Sequence, residues 1–209
     1  MKLNVPLLKQ KNKLACGPTC LRMILFYYGK DFSEKDILKE IKLKRFGSYT
    51  TDLAYFAAEV GFRVECYSYN LKIFSINLAS SYKKQLLKEL EKLQRKVKVS
   101  FDKGVIKSII KAIKGGVTYK FIRPNFYLID KYLQKKIPVI ISVNWASLKN
   151  KPGDVKMGHS IVITGKLGKN YFYNDPCDGK EYKIESNHLF FAISNNVLDS
   201  SAYLLAIKQ

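Results

Sequence analysis

Two histidines and four cysteines in 209 residues leave few ways to build a nucleophilic site. Cys16 stands in the run Cys16-Gly17-Pro18-Thr19-Cys20-Leu21, where an apolar stretch with helical spacing begins. A thiol attacks as its thiolate, and the unpaired N–H groups and positive dipole end of a helix N-terminus favour that form. A cysteine is most often a small buried hydrophobe, but a helix start with Gly-Pro behind it favours the nucleophile at Cys16. Gly17 has no Cβ to crowd an approaching carbonyl, and Pro18 lacks an N–H that the first turn would leave unpaired anyway.

A thiolate of this kind needs a base. His159 opens a strand-like run, Gly158-His159-Ser160-Ile161-Val162, whereas His188 lies in the first turn of a late helix and reads as structural or surface. His159 is the candidate base. If strands 159–164 and 171–175 form a hairpin centred near Leu167, paired positions sum to about 334 and His159 faces Asp175. Opposed residues share a face with Cβ atoms about 5 Å apart, close enough for Asp175 to orient the imidazole. Asn174 then points to the other face, and a one-residue slip would exchange the two. An Asp-Pro pair taken alone reads as a turn. Gln10 lies six residues before Cys16; its amide can join the Cys16 N–H around an oxyanion, a reading with little weight by itself.

Two elements must position these groups. The helix from about Gly17 to Tyr28 is apolar almost all round, with Gly29 as its stop, and belongs at the centre of the fold. Amphipathic helices follow, one capped by Ser33 and one by Thr51 that runs to Gly61, and Phe62 to Tyr69 alternates like a strand. Tyr82 to Val97 and Val105 to Ile113 are Lys-rich with Leu or Ile at helical spacing, ending at Gly115-Gly116, and read as an added segment with solvated faces. The later part is a helix over 127–135, a β-branched strand over 138–143, a loop from Asn144 to Met157, and the two strands of the expected hairpin. Helices first and an antiparallel sheet after them define an α+β fold, expected as a single domain over residues 1–209 with a helical insertion at about 78–120.

The residues Gln10, Cys16-Gly17-Pro18-Thr19-Cys20-Leu21, Gly158-His159-Ser160 and Asn174-Asp175-Pro176 together resemble the C39 and C39-like peptidase family. The likeness includes the six-residue Gln–Cys spacing and the sixteen-residue His–Asp spacing, and covers roughly residues 5–70 and 125–195. It implies a papain-like fold, oxyanion-hole Gln10, nucleophile Cys16, base His159 and orienting Asp175, with no cofactor. It also implies a peptide or protein substrate, with a small residue before the scissile bond where members serve export transporters. This chain departs from those members in having no transporter part and in carrying the Lys-rich segment between the halves of the site.

The other signals are bland. Cys20 reads as a core thiol one turn after Cys16, because two such ligands without a further Cys or His pair make a poor zinc site. Cys66 and Cys177 read as structural, and Trp145 as either core or cleft wall. The net charge of +20 comes nearly all from Lys, with five Arg. It reads as a solvated surface suited to acidic peptides rather than a nucleic-acid site. No apolar run approaches the roughly 18 residues of a spanning helix, and the N-terminus lacks the apolar core of a signal peptide, so a cytoplasmic protein is expected. Two other functions compete with hydrolysis: amide transfer from the same acyl-enzyme, and a non-catalytic basic module for acidic partners or nucleic acid.

Overall fold

Leu21, Met23, Ile24 and Leu25 place most of the first helix in the core, where they are fully buried, while Phe26 near its end is exposed. In a computed structural model that describes residues 1–75, 78, 81–151 and 157–209, this helix, α1, spans Cys16–Tyr27. Gly29, at φ 77°, ends it in the left-handed conformation expected of a glycine stop. Part of the expected insertion's first residues and the middle of the expected 144–157 loop lie outside the described residues.

Helix α2, Glu34–Glu40, starts at Ser33, whose side chain accepts from the Asp36 N–H as a cap. Helix α3, Thr50–Glu59, follows Tyr49 at the cap position and so starts two residues earlier than the sequence suggests. Thr51 is not its cap, because the hydroxyl is 2.6 Å from that of Ser108 in a buried pair across to the Lys-rich segment. Gly17 has a packing reason besides the one expected. A Cβ there would lie 2.6 Å from Ser48 Oγ and 3.1 Å from Leu53 Cδ1, so glycine lets α1 pack against the start of α3.

Strand β1, Arg63–Ser68, is followed by α4, Lys83–Lys96, and α5, Ser100–Lys114, and then by β2, Thr118–Phe121. Strands β1 and β2 pair in parallel. A parallel pair needs a long crossover, and the two Lys-rich helices provide it. They bury Leu86, Leu90, Ile106, Ile109 and Ile113 in a second apolar cluster that also takes in Ile73, Phe74 and Tyr49. The lysines stay on the outer faces, as the sequence pattern implies.

The remaining elements are α6, Phe126–Gln134, β3, Val139–Asn144, the short α7, Trp145–Leu148, β4, Gly158–Leu167, β5, Asn170–Asp175, β6, Lys180–Glu185, α8, Ser186–Ser194, and β7, Leu204–Lys208. The seven strands lie in the order β2-β1-β7-β3-β4-β5-β6. The sheet is therefore mixed rather than purely antiparallel, the β1–β2 pair being the parallel one. Every residue of β3 is buried, as expected of a β-branched strand covered on both faces. Among the described residues no helix is long and apolar enough to cross a membrane.

The β4–β5 hairpin corrects the expected register. Leu167 pairs with Asn170 and Lys166 with Tyr171, whereas beyond an irregularity between Ile163 and Gly165 the pairs are Ile163–Tyr173 and Val162–Asn174. Pair numbers thus sum to 337 at the turn and 336 past the bulge, not 334. An odd sum carried through to His159 would have placed Asn174 on its face. The extra residue restores even parity and gives that face to Asp175. Gly165 suits this bulge because the chain start crosses it closely: a Cβ there would meet Met1 O at 2.6 Å and Lys2 Cα at 2.7 Å.

Candidate active site

Cys16 is the first residue of α1 and is partly buried, facing the opening of β4. His159, 5% exposed, sits on β4 opposite Val143 of β3. Its Nε2 is 2.8 Å from Oδ1 of Asp175, which is fully buried on β5. The Cys16 thiol lines the same cleft as the imidazole and interacts with it electrostatically. The structure therefore brings Cys16, His159 and Asp175 together from α1, β4 and β5.

The electrostatics follow from that grouping. Burial of Cys16 opposes ionisation, but the His159 hydrogen bond, the imidazolium charge and backbone groups of Ser160 and Gly17 outweigh it, and the thiol lies below its ordinary range. Burial likewise opposes the His159 imidazolium, yet Asp175 and Cys16 raise it to about 9. Burial of Asp175 is outweighed by His159, Lys149 and the Cys177 N–H, which hold its carboxyl well below the usual carboxylate range. Both directions favour a thiolate–imidazolium pair near neutral pH.

Asn174, the slip alternative, is on the opposite face, where its amide donates to Val5 O at 3.1 Å and anchors the N-terminal segment. That segment also binds near the site, because the Gln10 N–H donates to Pro176 O at 2.8 Å. The Gln10 side chain is turned locally, with Nε2 donating to Asn12 O at 2.9 Å. Its Oε1 is buried without a partner among the described residues. Cys20 is fully buried one turn below Cys16 and donates to Ser160 O at 3.2 Å, matching the core-thiol reading. All four cysteines are free. His188 is structural: its Nε2 donates to Ser147 O at 2.7 Å and ties α8 to α7.

A cleft of about 390 Å³ opens beside Cys16 and His159. Phe46, Tyr49 and Phe101 form one wall, with Phe46–Phe101 ring centroids 5.0 Å apart. Phe101 belongs to α5, so the Lys-rich segment reaches the cleft. The opposite side is polar, with Asn196 Nδ2 donating to Ser142 Oγ at 2.8 Å beside Gly158. Trp145 does not line the cleft, whereas Met157 does. Sequence reasoning missed these residues and Lys149, whose Nζ is 2.7 Å from Asp175 Oδ2. None sits in a spacing that marks it; only the three-dimensional return of distant segments brings them in. Among the described residues no group of three or more His, Cys, Asp or Glu is arranged to hold a metal ion.

A thiol on the first turn of a buried helix, facing a histidine on the sheet of an α+β fold, defines the papain-like architecture. The profile of the Peptidase_C39 like family matches residues 2–196, and the chain belongs to that family. Similar solved structures agree on the fold. One is a double glycine motif protease from an AMS/PCAT transporter, in complex with the leader peptide: 18% identity, TM-score 0.52, 99% of this chain and 91% of that one. Another is the peptidase domain of Streptococcus ComA, a bi-functional ABC transporter involved in quorum sensing, with 14% identity, TM-score 0.53, and 99% and 100% coverage. A C39-like peptidase from Bacillus anthracis matches at 15% identity and TM-score 0.57, over 100% of this chain and 98% of that one. No curated protein matches the chain by sequence.

Proposed function

We propose that this protein is a cysteine peptidase that hydrolyses peptide bonds through a Cys16 acyl-enzyme. The observation that carries the reading is that His159 shares a cleft with the Cys16 thiol while its Nε2 lies 2.8 Å from Oδ1 of the buried Asp175 carboxylate. In this reading the thiolate attacks the scissile carbonyl carbon, and the oxyanion is held by the Cys16 N–H and the Gln10 amide, released from Asn12 when substrate enters. The C–N bond breaks as the His159 imidazolium gives its proton to the leaving amine. Water then attacks the thioester, His159 takes its proton, and the acid leaves with the thiolate restored. Asp175 keeps the imidazole in place throughout.

The substrate is a peptide or protein segment that enters the cleft beside Cys16, extended between the aromatic wall and the Ser142–Asn196 side. A small residue before the scissile bond is proposed from the leader-peptide neighbour. We further propose one domain in which the 78–120 segment walls the cleft through Phe101, acting in the cytoplasm, where free thiols stay reduced. A peptide-library digest tests the reading. Wild type should generate new termini that Cys16→Ala does not, whereas identical product sets would refute it. Added amine separates hydrolysis from transfer, since amide products appear only if an amine replaces water.

A further inference from the structure

The Asp175 carboxylate has more partners than a single histidine requires. Oδ1 accepts from His159 Nε2 at 2.8 Å and from the Cys177 N–H at 2.9 Å, while Oδ2 accepts from Lys149 Nζ at 2.7 Å. Lys149 follows α7, and its side chain is 22% exposed, whereas that of Asp175 is wholly buried. The lysine reaches inward over the Tyr182 ring, with Nζ 4.5 Å from its centroid. Its base is fixed. Asn144 caps α7 through the Ser147 N–H at 2.9 Å, and His188 of α8 and Asn195 just past its end hold Ser147. Asn150, at φ 50°, turns the chain immediately afterwards.

Resting on the peptidase reading, we propose that Lys149 is a positioning residue of the same site: it fixes the Asp175 carboxylate through Oδ2 and offsets part of its charge as felt by His159. An Asp facing an imidazolium alone, deep in the protein, stabilises the charged ring strongly. Such a ring gives up its proton reluctantly to a leaving amine. An ammonium on the second oxygen lowers that pull and also keeps the carboxylate from rotating. The proton on His159 is then held firmly enough to support the Cys16 thiolate, yet remains transferable.

The groups facing Asp175 come from several elements. His159 lies on β4, Tyr173 on β5, Cys20 on α1, and Lys149 after α7. Cys177 and Asp178 follow β5, whereas Tyr182 and the strand partner Lys180 are on β6. Among the described residues, Lys149 is the cation bonded directly to the carboxylate apart from His159 itself. Its removal therefore changes the charge at Oδ2 without changing the ring's own contacts.

The chain has two histidines, so a histidine-labelled sample gives two imidazole signals to follow by NMR against pH. Lys149→Gln and Lys149→Met should both raise the His159 midpoint, by up to about one pH unit, the scale of one neighbouring charge. Lys149→Arg keeps the charge and should leave the midpoint where wild type has it. The neutral variants should lower kcat for peptide cleavage more than they change KM. An unmoved or lowered His159 midpoint in either neutral variant overturns the inference, as does an equal shift in Lys149→Arg. If wild-type His159 instead titrates near an ordinary 6.5, the thiol–imidazole reading fails, however the Lys149 variants behave.

Discussion

His159→Ala is expected to lower peptide cleavage by about a thousandfold or more and to push the Cys16 thiol above its ordinary range. Both effects come from one ring. Burial alone would push the Cys16 thiol up; the hydrogen bond and charge of His159 head the causes that bring it down instead. Without the ring the desolvation remains and its main compensation is gone. Alkylation of Cys16, which follows the thiolate, should then require pH above the ordinary thiol value of about 8.5. In wild type the sign is opposite. Reactivity appears as pH rises through the lowered thiol value, below that range. Cleavage declines again as His159 loses its proton near pH 9, because the leaving amine then has no acid to protonate it. A bell-shaped profile of kcat/KM, bounded by the thiol on the acid side and the imidazolium on the basic side, is the corresponding kinetic result.

Asp175→Ala should cost both activity and stability. The carboxylate is fully buried and holds His159, Lys149 and the Cys177 N–H together. Removing one member of a buried charged pair destabilises by about 3–5 kcal/mol, because the partners lose compensation they cannot find in the interior. A fall of that order in the urea unfolding free energy near neutral pH is expected, with a fall in kcat. The pH dependence is specific. Asp175 is held below its unfolded value of about 3.9, so its contribution is present above that value and is lost as pH falls through the folded one. Wild type should therefore lose stability on acidification below about pH 4 more steeply than Asp175→Ala does.

Much of the site was legible because its signals are local. Cys16 announces itself by a helix start with Gly-Pro behind it, and scarcity narrows the base to His159. Asp175 is more instructive. The expected pairing placed it on the right face with the wrong partner: it shares the face of His159 two positions along rather than directly opposite. Face depends only on the parity of the register, and a bulge is a one-residue change in parity that short β-rich sequences do not advertise. Without that bulge the same hairpin turn would have delivered Asn174.

The sheet was less legible than the helices. The five residues of β7 lie at the chain's end, yet they pair with both β1 and β3 at the sheet's centre. Nothing in a run of five residues states which strands will flank it. The polar β6 hides its strand character because only Ile184 in it is fully buried. The two Lys-rich helices were recognisable from spacing. Their role as a parallel crossover depends on β2, whose four residues carry no clear alternation. Lys149 could not be found in advance either. A lysine beside a loop is ordinary until folding places an aspartate 2.7 Å from its ammonium.

The central claim is that Cys16 is an activated thiol, and competition among the four cysteines tests it most directly. Cys177 is the exposed thiol, Cys16 is partly buried, and Cys20 and Cys66 are buried. Exposure alone therefore ranks Cys177 first, and burial keeps Cys66 and Cys20 protonated. Limited iodoacetamide treatment near pH 6, followed by peptide mapping, gives the order directly. Modification of Cys16 ahead of Cys177 is the predicted result. Modification of Cys177 first, with Cys16 reacting only above about pH 8, would contradict the account.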